Sequence, residues 1–261
     1  MKIATWNVNS IKVRLPNLLA WLREAEPDIV CLQEIKCTDD AFPRMEIEDA
    51  GYNVETHGQK TYNGVAILSK VRLEDVQRGL PGMEDDGQAR YIEATVSTSD
   101  GALRISSIYL PNGNPAPGDK YEYKLQWMAA LEGQARTLLE LEEPCVLAGD
   151  YNVIPTPDDV HDPGAWENDA LFLPRTRSAF RSLTALGLTD AYRACHSAAH
   201  RYTFWDYQGG AWQKDHGIRI DHLMLGPQAA DMLVASDIDK HLRSWEKPSD
   251  HVPVWAKLDF G

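Results

Sequence analysis

In the stretch Cys145-Val146-Leu147-Ala148-Gly149-Asp150-Tyr151-Asn152, a run of apolar residues changes abruptly to glycine, aspartate and asparagine. Such a run, bounded by turn-forming residues, predicts a buried strand over residues 145–148. Residues 120–141 form the longest helical pattern in the chain, and Pro144 closes that pattern. The stretch therefore predicts a helix that leads into a buried strand whose end carries polar side chains.

The same signals recur on both sides of this stretch. Apolar runs separated by Gly, Asp and Ser turns predict further strands over residues 2–8, 29–32, 52–55, 64–69, 72–77, 90–96, 103–109, 219–225 and 253–258. Helices are predicted behind Ser10 as a cap and over residues 175–186 and 227–233, and the Asp- and Pro-rich residues 151–174 should form an ordered loop. Many strands with few helices favour an α/β chain of two face-to-face sheets with helices outside. No linker interrupts the pattern, so residues 1–261 are expected to form one domain.

Charge and composition limit the function classes. The formal net charge of −13 argues against loose, sequence-independent binding to nucleic acid, which usually leaves a basic footprint. Carboxylates that hold a metal ion add to this count, so a metal-dependent nuclease remains compatible with it. We find no apolar run long enough to span a membrane, and the first strand turns polar at Asn7, which is unlike a signal peptide. With four scattered cysteines, these features predict a cytoplasmic protein without a membrane partner.

Polar side chains follow the predicted strands at the points where strands end or begin. Because strand ends converge on one rim of a sheet, these side chains could share a cleft. The positions are Asn7, Glu34, Tyr109 with Asn112, Asp150 with Asn152, Asp221, and Asp250 with His251. Each of them alone would more often be a turn or a surface group, so the prediction depends on their occurring together.

Two kinds of chemistry fit such a cleft. Glu34, Asn7 and Asp250 offer only oxygen ligands, which suit a hard cation such as Mg²⁺. Asp150 and Asn152 lie two residues apart and could together align and deprotonate a water molecule. The pattern therefore predicts a metal-assisted hydrolase.

The other polar residues of the rim could act on a phosphate. Asp221 could hold one nitrogen of His251, which leaves the other nitrogen to donate to a phosphoryl oxygen. Tyr109 could donate to the same phosphate. These roles favour a phosphoester as the substrate.

Seven segments resemble the bacterial exonuclease III group of abasic-site endonucleases, within the endonuclease/exonuclease/phosphatase superfamily. The resemblance covers the whole chain from Lys2 to Phe260. The segments are Trp6-Asn7-Val8-Asn9, Leu32-Gln33-Glu34-Ile35-Lys36, Tyr62-Asn63-Gly64-Val65-Ala66, Tyr109-Leu110-Pro111-Asn112-Gly113, Gly149-Asp150-Tyr151-Asn152, Arg219-Ile220-Asp221-His222 and Lys247-Pro248-Ser249-Asp250-His251-Val252-Pro253-Val254-Trp255.

This resemblance implies a four-layer α/β sandwich of the DNase I-like type and a Mg²⁺-dependent DNA-repair enzyme, in which Mn²⁺ can substitute. Such an enzyme cuts the backbone 5′ to an abasic site, leaves a 3′-hydroxyl and often trims 3′ ends. Glu34 would be the principal metal ligand, assisted by Asn7 and Asp250. Asp150 would activate the water or, in a rival assignment, protonate the leaving group. The remaining residues implied at the phosphate are Asn152, Asp221, His251, Tyr109 and Asn112.

The implied partner is duplex DNA with abasic sites or 3′ ends, bound by a monomer without an obligate protein partner. The aromatic residues Phe204 and Trp205 resemble the segment that forms the abasic pocket, with core packing as the alternative reading. Basic residues near loops and helix starts could touch phosphates, and Lys36, Arg175 and Arg177 are the candidates retained here. At Ile218, animal members of the group carry a tryptophan, so the wall of the abasic pocket is expected to be smaller.

Two other functions are compatible with the superfamily. Lipid and inositol phosphatases would suit an acidic chain, but the Tyr109-Leu110-Pro111-Asn112 and Lys247-Pro248-Ser249-Asp250-His251 contexts favour DNA. A non-catalytic, RNA-associated regulator is the second alternative, although this chain retains the full set of catalytic residues. The balance between abasic-site cleavage and 3′-exonuclease action cannot be predicted from the sequence.

Overall fold

Two six-stranded mixed sheets lie face to face in the computed structural model, which describes residues 1–98 and 101–260. The strands are β1 (Lys2–Asn7), β2 (Ile29–Gln33), β3 (Asn53–His57), β4 (Val65–Ser69), β5 (Leu73–Arg78), β6 (Tyr91–Thr98), β7 (Gly101–Tyr109), β8 (Cys145–Asp150), β9 (Thr189–Asp190), β10 (Asp221–Leu225), β11 (Leu233–Ile238) and β12 (Val254–Leu258). The first sheet has the order β11-β12-β1-β2-β4-β3, and the second has the order β5-β6-β7-β8-β10-β9.

The helices are α1 (Ile11–Ala25), α2 (Arg44–Glu48), α3 (Asp119–Glu140), α4 (Pro163–Trp166), α5 (Pro174–Ala185), α6 (Ala191–Cys195) and α7 (Pro227–Asp231). The two longest, α1 and α3, pack on opposite outer faces of the pair of sheets. In the part of the chain that the structure describes, no helix is both long and apolar enough to cross a membrane.

Along the central strands, successive side chains point to opposite faces of the sheet and therefore pack in different layers of the fold. Ile3 and Ile29 point into the core between the two sheets, where they join Ile105 and Val146 of the second sheet. The neighbouring positions on β1 and β2 point outwards, towards the layer of α1, with Trp6 as an example. A third core cluster joins α3 and α5 to the outer face of the second sheet. The predicted four-layer α/β sandwich is therefore confirmed.

The strand directions bring one end of each sheet to a common rim. In the first sheet β1 runs parallel to β2, and in the second β7 runs parallel to β8, so these four strands end together. Strands β12 and β10 run antiparallel to them and therefore begin at that rim. The register places Tyr109 and Asp221 on either side of Asp150, on neighbouring strands.

Three local predictions were wrong or incomplete. Ser10 precedes α1, but its side chain makes no capping hydrogen bond, and its φ of 85° differs from the usual cap conformation. The helix predicted over residues 227–233 ends at Asp231, and the chain then forms the edge strand β11, whose broken alternation the sequence pattern did not reveal. The segment predicted as loop over residues 151–174 contains α4, which Asp162 caps through the backbone N–H groups of Gly164 and Ala165.

Candidate active site

Asn7, at the end of β1, joins carboxylates from the two sheets. Its Nδ2 donates to Glu34 Oε1 at 2.8 Å and to Asp150 Oδ2 at 2.9 Å. Glu34 follows β2 in the first sheet, whereas Asp150 ends β8 in the second. The carboxylate of Glu34 thus lies at the junction of the sheets, where it also accepts a hydrogen bond from the Tyr109 hydroxyl at 2.9 Å.

Glu34 is ionised in this setting. Burial alone would raise the pKa of its carboxyl group, but the Lys36 ammonium and the Asn7 amide outweigh burial and lower the pKa. Lys36 Nζ lies 2.8 Å from Glu34 Oε2. The backbone of Glu34 has a φ of 51°, a left-handed conformation that is unusual outside glycine and that tends to occur at functional sites.

Tyr109 is a neutral hydrogen-bond donor. Burial of its hydroxyl, reinforced by the negative charges of Glu34 and Asp150, raises the pKa well above the ordinary value. The guanidinium of Arg90 lies 4.9 Å from the centroid of the Tyr109 ring, and this contact helps to hold the ring in place.

The imidazole of His251 lies between the carboxyl groups of Asp221 and Asp150, and all three side chains are buried. Nδ1 of His251 lies 2.9 Å from Asp221 Oδ2, and its Nε2 lies 3.8 Å from Asp150 Oδ2. Burial disfavours the charged imidazolium, but Asp221 and Asp150 outweigh burial and raise the pKa of His251 to about 10. His251 therefore carries a proton at neutral pH.

Asp150 is the carboxylate with the least favourable solvation in the site. Burial raises its pKa to about 7, and the nearby charge of Asp221 adds to this effect, while His251 acts against it. Its Oδ1 accepts the backbone N–H of Asn152 at 2.9 Å. Asn152 has a φ of 48° and donates through Nδ2 to the Leu110 carbonyl, so its side-chain oxygen faces Asn112, whose amide donates to it at 3.3 Å.

The carboxylates of Glu34 and Asp150 could hold a cation, whereas the imidazolium of His251 beside them has no free lone pair for one. Ligand atoms from Glu34, Asp150 and His251 all lie within 4.8 Å of one another. Burial raises the pKa of Asp150, so a positive charge placed beside its carboxylate would stabilise the ionised form. A hard divalent cation fits this set, because it would favour ionisation of both carboxylates.

The two other predicted metal ligands, Asn7 and Asp250, form hydrogen bonds around this cluster. The amide nitrogen of Asn7 donates to Glu34 and Asp150, and its oxygen accepts the backbone N–H of Asn9. The carboxylate of Asp250 accepts from Asn9 Nδ2 at 3.0 Å. Their role as metal ligands stays a prediction.

This arrangement of residues matches a known family along almost the whole chain. Residues 4–251 match the model of the Endonuclease/Exonuclease/phosphatase family. The chain belongs to this family. The match includes all the strand-end residues named above, from Asn7 to His251.

Members of the Endonuclease/Exonuclease/phosphatase family resemble the chain in both sequence and structure. Exodeoxyribonuclease III of Haemophilus influenzae is 33% identical over 266 residues, covering 99% of this chain and 100% of the relative. A 3′ phosphatase from Neisseria, solved with a product DNA hairpin, has a TM-score of 0.94 at 41% identity, with 100% of both chains covered. An AP endonuclease from Archaeoglobus fulgidus has the same TM-score at 38% identity, with 99% of each chain covered.

The two predicted aromatic contacts have different environments. Phe204 packs edge-on against His251, with ring centroids 4.9 Å apart. It also lines a cavity of about 220 Å³ together with Trp166 and Ile218. Trp205 is fully buried and donates through Nε1 to Asp215. The burial of Trp205 favours the alternative reading, core packing, over a contact with DNA.

The predicted basic contacts also differ from one another. Lys36 pairs with Glu34 inside the site. Arg175 is 64% exposed and pairs with Glu122 at 2.8 Å, so its charge is already partly neutralised. Arg177 stacks on Phe172 with its guanidinium 4.4 Å from the ring centroid, and it faces a second pocket away from the clustered carboxylates.

Lys124 is a residue near the site whose complete burial the sequence analysis did not predict. Its ammonium donates to the carbonyls of Pro111 and Asn152, at 3.0 and 2.6 Å. Burial lowers the pKa of Lys124 to about 7. The available signal was a lysine on the apolar stripe of a helix, between Tyr121 and Trp127, where a charge is rarely placed without a partner.

Proposed function

We propose that the protein is a metal-dependent DNA-repair nuclease that cuts the backbone 5′ to abasic sites and also removes material from 3′ ends. The observation that carries this proposal is the convergence of Glu34, Tyr109, Asp150 and His251 at the junction of the two sheets. The relatives named above support DNA as the substrate.

The proposed cation is Mg²⁺, with Mn²⁺ as a substitute, held by Glu34 with Asp150 and His251 close by. Asn7 and Asp250, expected as ligands, would assist by holding the carboxylates and Asn9 in place. When bound, the cation would neutralise phosphate charge and offset the negative charge that develops in the transition state. Oxygen-rich sites of this kind prefer Mg²⁺ to softer metals.

Asp150 is proposed to take the proton of the attacking water. Its buried carboxylate accepts the Asn7 amide and the backbone N–H of Asn152, which position it to take this proton. Water would attack phosphorus, the bond from phosphorus to O3′ would break, and O3′ would take a proton from solvent, which leaves a 3′-hydroxyl. In the rival assignment, protonated Asp150 gives its proton to O3′. Asn152, held by Asp150, would orient the phosphate, with Asn112 beside it.

His251 and Tyr109 are proposed to stabilise charge on the phosphate. Asp221 holds the imidazolium at Nδ1, so Nε2 is left to donate to a phosphoryl oxygen. The Tyr109 hydroxyl, which now donates to Glu34, lies at the same rim and can donate to the same phosphate. Losing one such donor costs on the order of 10²–10³ in rate.

The cavity beside His251 is proposed to take the sugar of an abasic nucleotide. Its walls include Phe204, Trp166 and the aliphatic side chain of Ile218. An aliphatic wall makes the pocket less selective than an aromatic one, which favours 3′-end removal as a second activity. The Neisseria relative, a 3′ phosphatase by name, is consistent with such an activity.

The remaining proposals concern the state of the protein. We infer a single domain over residues 1–261 that works in the cytoplasm as a monomer, without an obligate protein partner. The high coverage of the relatives supports the extent of the domain.

The decisive experiment is cleavage of a duplex that carries one synthetic abasic site, with Mg²⁺ and with chelator. A single cut 5′ to the lesion that leaves a 3′-hydroxyl, and that is lost in chelator, is the expected result. Loss of 3′ nucleotides without a cut at the lesion would move the main activity to the 3′ end. No cleavage of any DNA would overturn the proposal and favour a small-phosphoester enzyme or a non-catalytic binder.

A further inference from the structure

A second pocket, of about 520 Å³, lies between α5, α6 and residues 155–159. It is separated from the carboxylate cluster, since none of Glu34, Asp150 and His251 lines it. Its arginines are Arg177 and Arg181 on α5, Arg193 on α6 and the buried Arg219, and His196 also lines it.

Two of these arginines are already neutralised. Arg219 is fully buried and donates to Asp159 at 2.7 Å and to Asp190 at 2.8 Å. Arg193 also pairs with Asp159. The carboxylates of Asp159 and Asp190 therefore face two guanidinium groups, and they bring little uncompensated negative charge to the floor of the pocket.

The other two arginines have no such partner. Arg177 and Arg181 lie four residues apart on α5 and so share one face of the helix. Among the residues that the structure describes, neither forms an ion pair, and Nε of Arg177 is buried without a hydrogen-bond partner. Asp158 is the remaining carboxylate of the lining, and it is exposed to solvent.

The guanidinium of Arg177 lies 4.4 Å from the ring centroid of Phe172, and this cation–π contact restricts its movement. Two arginines that line one pocket from the same helix can present paired N–H donors, which suit phosphate oxygens. The net charge of the chain is −13, so two neighbouring arginines without an ion-pair partner form a local region of positive charge.

We propose that this pocket is a second phosphate-binding site, apart from the catalytic centre, in which Arg177 and Arg181 bind the anion. The phosphate is either free, as inorganic phosphate or a released mononucleotide, or it belongs to the backbone of bound DNA. Only the second source rests on the proposed nuclease function.

The test uses the full chain with Arg177→Met and Arg181→Met, singly and together, because methionine keeps an apolar stem of similar length. Arg136→Met is the matched control, since it removes an exposed arginine that does not line the pocket. The first measurement is the Tm in chelator as inorganic phosphate replaces chloride at constant ionic strength. The second is the salt dependence of binding to an uncut duplex without metal.

We expect phosphate to raise the Tm of the wild type and of Arg136→Met, and this rise to be lost in the double variant. An unchanged salt slope would then identify free phosphate as the ligand, whereas a slope reduced by about one for each lost arginine would identify backbone phosphate. The proposal is overturned if the double variant matches Arg136→Met in both measurements. Arg181 is exposed, so its single variant keeps the test valid even if the double variant is unstable. Cleavage by the wild type with Mg²⁺ is measured separately, so failure of the nuclease proposal leaves the inorganic-phosphate result standing.

Discussion

Asp221 fixes the imidazole of His251 from the side that faces away from Asp150. Asp221 Oδ2 lies 2.9 Å from Nδ1 of His251, and both side chains are buried. The Thr203 hydroxyl donates to the same Asp221 oxygen, so the carboxylate is itself oriented. His251 is therefore held as an imidazolium whose Nε2 is directed at the carboxylate end of the site.

The pairing predicts a pH-dependent contribution of His251 to stability. Its pKa in the folded state, about 10, lies above the ordinary value of 6.5. The contribution is therefore full below about pH 6.5 and is lost as the pH rises towards 10. In thermal unfolding with chelator, the Tm difference between wild type and His251→Gln should be largest near pH 6 and should shrink towards pH 10. A difference that stays constant over this window would contradict the assigned protonation.

Replacing Asp150 with asparagine should lower the activity of the protein but raise its stability. The proposed proton acceptor is lost, so cleavage of an abasic-site duplex should fall by about 10²–10⁴. The folded-state pKa of about 7 exceeds the ordinary 3.8, so ionised Asp150 destabilises the fold increasingly as the pH rises through this range. In chelator at pH 8, Asp150→Asn should therefore have a higher Tm than wild type. A lower Tm with retained cleavage would rule out the proposed role.

Glu34→Gln should abolish the response of stability to Mg²⁺. A cation that binds only the folded protein raises the Tm with concentration, and the glutamine removes the main negative charge of its site. Thermal unfolding over a Mg²⁺ titration measures the effect. Glu24→Gln is the control, because Glu24 is a half-exposed partner of His241 on the surface. Equal Mg²⁺ responses in the two variants would place the cation elsewhere.

Phe204 and Trp205 should respond to mutation in opposite ways. Trp205→Ala empties a fully buried site and should cost about 3–5 kcal/mol in the free energy of unfolding. Phe204→Ala should cost less stability, but it should raise KM for an abasic duplex relative to an undamaged 3′ end. Denaturant unfolding and steady-state kinetics give the two values. A large KM effect in a stable Trp205 variant would restore Trp205 as a DNA contact.

Lys124→Met should impair catalysis indirectly, through the backbone carbonyls that Lys124 binds. The variant leaves the carbonyls of Pro111 and Asn152 without their buried donor, which should shift Asn152 and lower kcat by about 10-fold or more. Lys120→Met, at an exposed position of the same helix, is the control. If kcat is unchanged once the folded fraction is accounted for, Lys124 has only a structural role.

The sequence was sufficient to place the strand ends and their polar residues, because apolar runs and turn residues are local signals. It could not assign individual atoms. The amide of Asn7 turns its nitrogen to the carboxylates, and Trp205 rather than Phe204 is buried, because both depend on contacts between distant segments. The pairing of Arg175 with Glu122, across two helices, was invisible for the same reason.

Because the site lies at the junction of the two sheets, its geometry depends on how the sheets are aligned. Glu34 is carried by one sheet and Asp150 by the other, and the bridging amide of Asn7 spans less than 3 Å to each. Between the sheets lie apolar side chains such as Ile3 and Val146, together with Ser107, which bonds to Gln33 and to the Leu32 carbonyl of the other sheet. A small shift of one sheet relative to the other would separate Glu34 from Asp150, although every strand would stay intact. Enzymatic failure should therefore precede unfolding when that interior is loosened by heat or by cavity-forming substitutions.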